Sequence, residues 1–398
     1  MGEEFRVDPM SFEFRHNSIA IYKRLLREQP VCKLENGSIL LCRHADVERV
    51  LTDLKAFRRP YEWSMKNKPE GPFREFGRNN MLALNPPDNT RYRRAMARAF
   101  APRRIDLLNA DIQTTCDKLI DRMAAKPECD FLKDFALPLP VAIICQMLGI
   151  PVEDQDLFAE WSARVLAGME ISATPDEKAE AQTATLALFD YLAGIAEQRR
   201  SKAGEDLIST LVEAAEAEKL RPDEVVWGAI TLLIAGHETT THLLGNGMLA
   251  LIRNPDQMKL LRERPELTQN AVEEFLRYDP SVYVLFREAA EDVEIDGTPI
   301  AKGTLLTLSL AAANRDPRVF EEPDRLDITR ANAKAHLSFG VGFHLCLGQA
   351  VARVEARIAF ETLMRRIDTI TLAEEPTPRD GLMFKGNHEM PVRYQIAA

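Results

Sequence analysis

The chain has 398 residues, 45% of them apolar and 28% charged. At roughly 100–200 residues per domain, that suggests two or three ordinary domains or one large one. The apolar fraction excludes a disordered or fibrous chain, and a formal net charge of −10 argues against a general nucleic-acid binder.

The start, Met1–Arg6, lacks the basic region and apolar core of a secretion signal. The first helical pattern covers Ile19–Glu28 and runs into Val31–Leu34 and Ser38–Leu41, two apolar runs around Asn36-Gly37 that predict a hairpin. Helical spacing then recurs over 88–100, 105–123, 138–149, 153–170, 177–200 and 206–217. Arg221-Pro222-Asp223 opens a longer periodic run to about Arg253; at ~1.5 Å per residue it would span ~45 Å, the width of the whole domain. Its most apolar stretch, Ala229–Ala235, is far shorter than the ~20 residues a membrane helix needs. A further helix is expected over Lys259–Tyr278, with short strands at Val282–Phe286, Val293–Ile295 and Leu305–Leu308. Residues 314–335 form a long polar stretch, and a loop of that length inside a compact chain is usually functional. A helix is expected over 346–367, followed by a β-like tail. With no repeat and no linker-like shift in composition, residues 1–398 read as a single, mainly α domain with a minor β part near 31–42, 282–308 and the tail.

The six cysteines, Cys32, Cys42, Cys116, Cys129, Cys145 and Cys346, form no C-x-x-C pair. They read as reduced thiols of a cytoplasmic protein, not a disulfide framework. Five of them fit the ordinary role of small buried apolar residues. Cys346 differs by its neighbours, Phe339-Gly340-Val341-Gly342-Phe343-His344-Leu345-Cys346-Leu347-Gly348. Two glycines spaced by one residue let the backbone approach something flat, and a cysteine opening a helix has its thiolate stabilised by the helix N-terminus. A dinucleotide loop would need G-x-G-x-x-G, and the third position is Leu345. Axial ligation of haem iron fits better.

Phe339, Gly342, Cys346 and Gly348 match every fixed position of F-x-x-G-x-x-x-C-x-G. The sequence thereby resembles the cytochrome P-450 superfamily of haem-thiolate monooxygenases, in its soluble bacterial form. The long helix carries a second motif. Ala235-Gly236-His237-Glu238-Thr239 resembles the family's A/G-G-x-D/E-T. A metalloprotease would need H-E-x-x-H, but the second histidine is His242, about 140° around the helix from His237. The resemblance implies that Ala235 and Gly236 let the helix pass close over the haem. It also implies that Glu238 and Thr239 deliver protons to dioxygen; the ordinary reading of Thr239 is a bond to the carbonyl four residues back.

Glu274 and Arg277 occupy the position of the family's E-x-x-R, implying a structural pair that locks 314–335 beneath the cysteine loop. The same spacing at Glu75/Arg78, Glu197/Arg200, Glu218/Arg221 and Glu322/Arg325 reads as solvated helix pairs. The resemblance further implies that Arg93, Arg287 and His344 anchor the haem propionates, with Phe339, Gly340 and Gly348 forming the cysteine cradle. Four residues before Arg93, where the family usually has histidine, stands Asn89. Arg91, Arg94, Arg98, Arg353 and Arg357 are expected to form a basic patch for an acidic electron donor.

The implied cofactor is haem b, iron protoporphyrin IX. The implied partners are dioxygen, a lipophilic small-molecule substrate, and a ferredoxin with its NAD(P)H-dependent reductase, with neither nucleic acid nor membrane. A haem-thiolate peroxygenase or isomerase, and a non-catalytic haem-binding sensor, are the alternatives.

Overall fold

A computed structural model describes residues 7–66 and 68–397. The leading segment Met1–Arg6 lies outside them.

The helix Pro222–Arg253 runs through the middle of the molecule, 32 residues long. Its start is built from local chemistry. Proline stands at the first helical position, where its missing N–H is no loss, and the Glu224 carboxylate accepts the Arg221 N–H at 2.8 Å. Asn254-Pro255 ends it, because a proline cannot continue the hydrogen-bond ladder. From Val225 to Ile234 every residue is buried, so neighbours surround this helix where a surface helix would show a polar stripe. On one side it packs against Pro138–Leu148 and Pro175–Ser201; on the other it meets Thr268–Tyr278 and Gln349–Arg366.

The β part is small and peripheral. A five-stranded sheet has the spatial order 31–33, 39–41, 305–309, 284–289 and 57–58. The expected hairpin forms, pairing Val31 with Leu41, and Gly37 supplies the positive φ of its turn. A three-stranded sheet joins 128–130, 391–396 and 367–372, and fastens the tail to the body.

Three expectations about elements change. Residues 259–278 are not one helix: Pro255–Glu263 and Thr268–Tyr278 are separated at Pro265, which breaks the run. The helix after the cysteine starts at Gln349 with Gly348 as its cap, so Cys346 precedes it instead of opening it. Helices His44–Thr52, Tyr61–Lys66 and Pro72–Asn79, absent from the sequence reading, fill the region ahead of residue 88.

Candidate active site

A cavity with mostly apolar walls lies between the central helix and the cysteine loop. Ala235, Gly236, Thr239 and Thr240 face it from the helix, and Phe339, Gly340, His344, Cys346 and Gly348 from the loop. Of the six cysteines only Cys346 is exposed, and its opening is onto this cavity. The loop is shaped by its glycines: Gly340 and Gly342 adopt φ of +65° and +70°, a region costly for any residue with a Cβ. The Cys346 N–H donates to the Phe339 carbonyl at 2.9 Å, closing the turn. Burial pushes the Cys346 thiol up, opposed by the N–H groups of Gly348 and Gln349 and by Arg93 and Arg353.

The loop rests on a fully buried ion pair. Arg277 meets both oxygens of Glu274 at 2.7 and 2.8 Å, and neither side chain is exposed. The Arg277 guanidinium also donates to the carbonyls of Asn314, Pro323 and Arg325 at 3.0, 2.8 and 3.2 Å. Glu274 accepts from the Asp327 N–H and from Arg330. Asn314 then carries the connection to the loop, accepting from the Leu337 N–H at 2.8 Å and donating to Ser338 at 2.8 Å. The pairs Glu75/Arg78, Glu197/Arg200 and Glu322/Arg325, with the same spacing, are solvent-facing. Arg94, by contrast, bonds Glu218 at 2.9 Å. A second acid, Glu273, holds Arg353 at 2.7 Å, and that guanidinium lies 4.5 Å from the centre of the Phe339 ring.

The central helix stays regular through the acid–alcohol motif. Thr239 donates its hydroxyl to the Ala235 carbonyl at 3.0 Å, the ordinary bond of a helical threonine. The carbonyl of Thr239 accepts from Ser281 at 2.6 Å, a contact that sequence reading missed. Glu238 is buried but is not among the residues facing the cavity. Its carboxylate pairs with Arg379 and lies 3.5 Å from His242 Nε2, which in turn accepts from Arg379 at 2.8 Å. Burial would raise its pKa, but His242 and Arg379 outweigh that and hold it well below the usual carboxylate range. Gly236 serves helix packing as much as the cavity, since a Cβ there would come within 3.0 Å of Ile144.

Basic side chains also line the cavity. Arg93, Arg287 and His344 all face the cavity, joined by Arg59, which the sequence reading did not single out. Arg93 donates to the Leu345 carbonyl and Arg287 to the Phe286 carbonyl. Burial, together with Arg59, Arg287 and Arg93, pushes His344 down to about 3. Asn89 faces the cavity too, but its amide donates to the Met81 carbonyl at 2.6 Å and its oxygen is buried without a partner.

Two further carboxylates matter. Glu170, at the end of Gln155–Met169, accepts from three successive N–H groups, Leu382, Met383 and Phe384, at 3.0–3.2 Å. It thereby joins Met169 to Met383 and Phe384, which also face the cavity. Glu355 is buried against the cavity with one oxygen unpartnered, and burial raises its pKa to about 8.

The expected basic patch is largely neutralised within the chain. Arg91 pairs with Glu224, Arg94 with Glu218, Arg353 with Glu273 and Arg357 with Glu361. Among the described residues Arg98 alone of the five makes no ion pair.

The family model for cytochrome P450 matches residues 31–391. The chain belongs to the cytochrome P450 family. It is 37% identical to cytochrome P450 CYP107DY1 of Priestia megaterium, over 92% of this chain and 93% of that one. It is also 37% identical to the vitamin D(3) 25-hydroxylase of Pseudonocardia autotrophica, over 97% and 96%. The crystal structure of CalO2 superposes with a TM-score of 0.92 at 31% identity, covering 98% of this chain and 99% of that one. As a cytochrome P450, the chain is a haem-dependent oxidoreductase of the monooxygenase type, with dioxygen and redox partners implied. No helix among the described residues is long and apolar enough to cross a membrane.

The residues present fit a haem. A thiol opens onto the cavity beside two glycines held at positive φ, so the loop leaves room for a flat group against it. Three arginines line the cavity with no acid paired to any of them among the described residues, the donor set that a dianionic edge requires.

Proposed function

We propose that the protein inserts one oxygen atom of dioxygen into a lipophilic small molecule, using haem b and electrons from a ferredoxin and its NAD(P)H-dependent reductase. The observation that carries this reading is the single exposed cysteine opening onto an apolar cavity opposite Thr239. When bound, the haem supplies dioxygen activation, with thiolate ligation favouring O–O cleavage.

The chain's residues do the rest. Cys346 holds the iron; Arg93, Arg287 and His344 face the cavity as candidates for the propionates. The wall contributed by Leu232, Leu285, Met383 and Phe384 receives the substrate and excludes water. That the vitamin D(3) 25-hydroxylase is a relative agrees with an apolar substrate. Thr239 has its hydroxyl proton committed to the Ala235 carbonyl, so its oxygen is free to accept a hydrogen bond from the cavity side. Glu238, held ionised by Arg379 and His242, passes a proton inward only when that clamp loosens.

The test joins spectrum to stoichiometry. The ferrous carbon monoxide complex should show the red-shifted Soret band of thiolate ligation, lost in Cys346→His. Thr239→Ala should keep that band and still consume NAD(P)H, but return hydrogen peroxide in place of most of the product. Loss of general acid–base assistance is worth ~10²–10⁴-fold in the productive step. A band persisting in Cys346→His, or unchanged product per NAD(P)H in Thr239→Ala, overturns the reading. The peroxide-driven alternative draws on Glu238 facing Arg379 instead of the cavity; full activity with peroxide and no reductase would favour it.

A further inference from the structure

The short strand Phe57–Arg58 pairs antiparallel with Val284–Ala289, with Phe57 opposite Ala289 and Arg58 opposite Glu288. The ladder ends there, but continuing its register by one residue sets Arg59 opposite Arg287, and Arg59 is close enough to act on the Arg287 charge. Arg58 and Glu288 make an ordinary cross-strand ion pair at 2.7 Å. Arg59 and Arg287 are the reverse, two like charges facing one another across the strands, an arrangement that destabilises a sheet.

Neither cation has an acidic partner among the described residues. The Arg287 side chain is buried and donates only to the carbonyl of its neighbour, Phe286. The Nε of Arg59 is buried and has no hydrogen-bond partner among the described residues. Burial lowers the pKa of both, and Arg59 adds a repulsive push on Arg287. Yet the backbone of Arg59 is held on both sides by one side chain: Asn85 accepts from its N–H at 2.9 Å and donates to its carbonyl at 3.1 Å. A fully buried guanidinium beside a half-buried one, neither paired with an acid among the described residues, suits a carboxylate that arrives later.

Asn89, four residues after the Asn85 that holds Arg59, stands where a further anchoring donor was expected, and its amide is committed to the Met81 carbonyl. The place of that donor is open, and an unassigned arginine faces the same cavity. We propose that Arg59 is an anchoring residue for a haem propionate, paired with Arg287 across the ladder, and that it takes the part Asn89 leaves vacant. The carboxylate neutralises the two facing guanidinium groups. The proposal rests on the haem reading, which the carbon monoxide spectrum tests separately.

The experiment uses the holoenzyme. Haem transfer to excess apomyoglobin is followed for the wild type, Arg59→Lys, Arg59→Gln and Arg59→Met, each first shown to keep the thiolate carbon monoxide band. Arg59→Met should lose haem at least tenfold faster, a change of about 1.4 kcal/mol, and Arg59→Lys should fall between it and the wild type. The ferric–ferrous midpoint potential should move to lower values in Arg59→Met, because a cation beside the haem favours the reduced state, and less in Arg59→Lys. Adding Asn89→His to Arg59→Met should slow haem loss again. Haem loss within twofold of the wild type in Arg59→Met overturns the proposal. So do equal losses in the Lys and Met variants with an unmoved potential, since that pattern marks packing, not charge. If Arg59→Met does not accumulate as holoenzyme, Arg59→Lys against Arg59→Gln decides by the same two readouts.

Discussion

Two buried arginine clusters sit within this one chain, and they are built on opposite plans. Arg277 is fully buried, meets both oxygens of Glu274 and donates to three backbone carbonyls, so the protein itself answers its charge. Arg287 is equally buried but donates to a single carbonyl and has another arginine, Arg59, as a repulsive neighbour. Desolvating a guanidinium costs several kcal/mol whatever its role. The difference therefore lies in who supplies the counter-charge. For Arg277 the answer is a side chain three residues earlier; for Arg287 and Arg59, on the proposal above, it is a ligand.

The comparison breaks or holds on a pair of substitutions. Arg277→Met leaves Glu274 buried with Arg330 as its one remaining cation, and strips three carbonyls of their donor. The loss should be about 3–5 kcal/mol, read as a lower urea midpoint of the holoenzyme together with a disturbed thiolate spectrum. Arg287→Met orphans no acid, so the fold should survive and the damage should appear mainly as faster haem loss. Equal losses of stability in the two variants would show that the clusters do the same work.

The two clusters also differ in how far sequence could reveal them. Glu274-x-x-Arg277 lies within one helix, and its spacing is visible in a single line of text. The same spacing at Glu75/Arg78 and Glu322/Arg325 is solvated, so burial, which sequence spacing does not encode, separates the one from the others. Cys346 and its glycines are legible for a similar reason, because a loop that needs positive φ advertises it with glycine. The central helix was legible from its Pro222 start and Asn254-Pro255 stop.

Arg59 carries no such mark. Its meaning depends on a strand pairing between segments more than 220 positions apart, and on Asn85 fixing its backbone. Arg379 on Glu238, Glu170 on 382–384 and Ser281 on Thr239 are likewise contacts between distant segments. The expected basic patch is weakened on the same ground. Arginines clustered in sequence read as free charge, and the acids that neutralise Arg91, Arg94 and Arg353 come from elsewhere in the chain.

A gentler change sharpens the contrast further, because Glu273 belongs to the self-sufficient plan and titrates in a reachable range. Burial pushes its pKa up, but His336 and Arg353 more than reverse this, leaving it at about 2 against an ordinary 4.5. The His336 ring takes part as a neutral donor. Its Nδ1 accepts from the Ser338 N–H at 3.1 Å, so the proton is on Nε2, which donates to Glu273 at 3.1 Å. Burial also lowers the pKa of His336, consistent with an uncharged ring. Arg353 therefore supplies the charge. A carboxyl whose pKa is lower in the folded protein than in the unfolded chain contributes stability fully above about 4.5 and loses it as pH falls towards 2. The contribution is bounded at roughly 3 kcal/mol, from ~1.36 kcal/mol per pKa unit. Glu273→Gln should accordingly be less stable than the wild type at pH 7, and the gap between them should narrow steadily from pH 5 to pH 3. Urea denaturation of both holoenzymes across that range measures it. A gap that stays constant with pH would mean that Glu273 holds Arg353 over the Phe339 ring by packing alone, and that the charge beneath the cysteine loop is carried by Glu274.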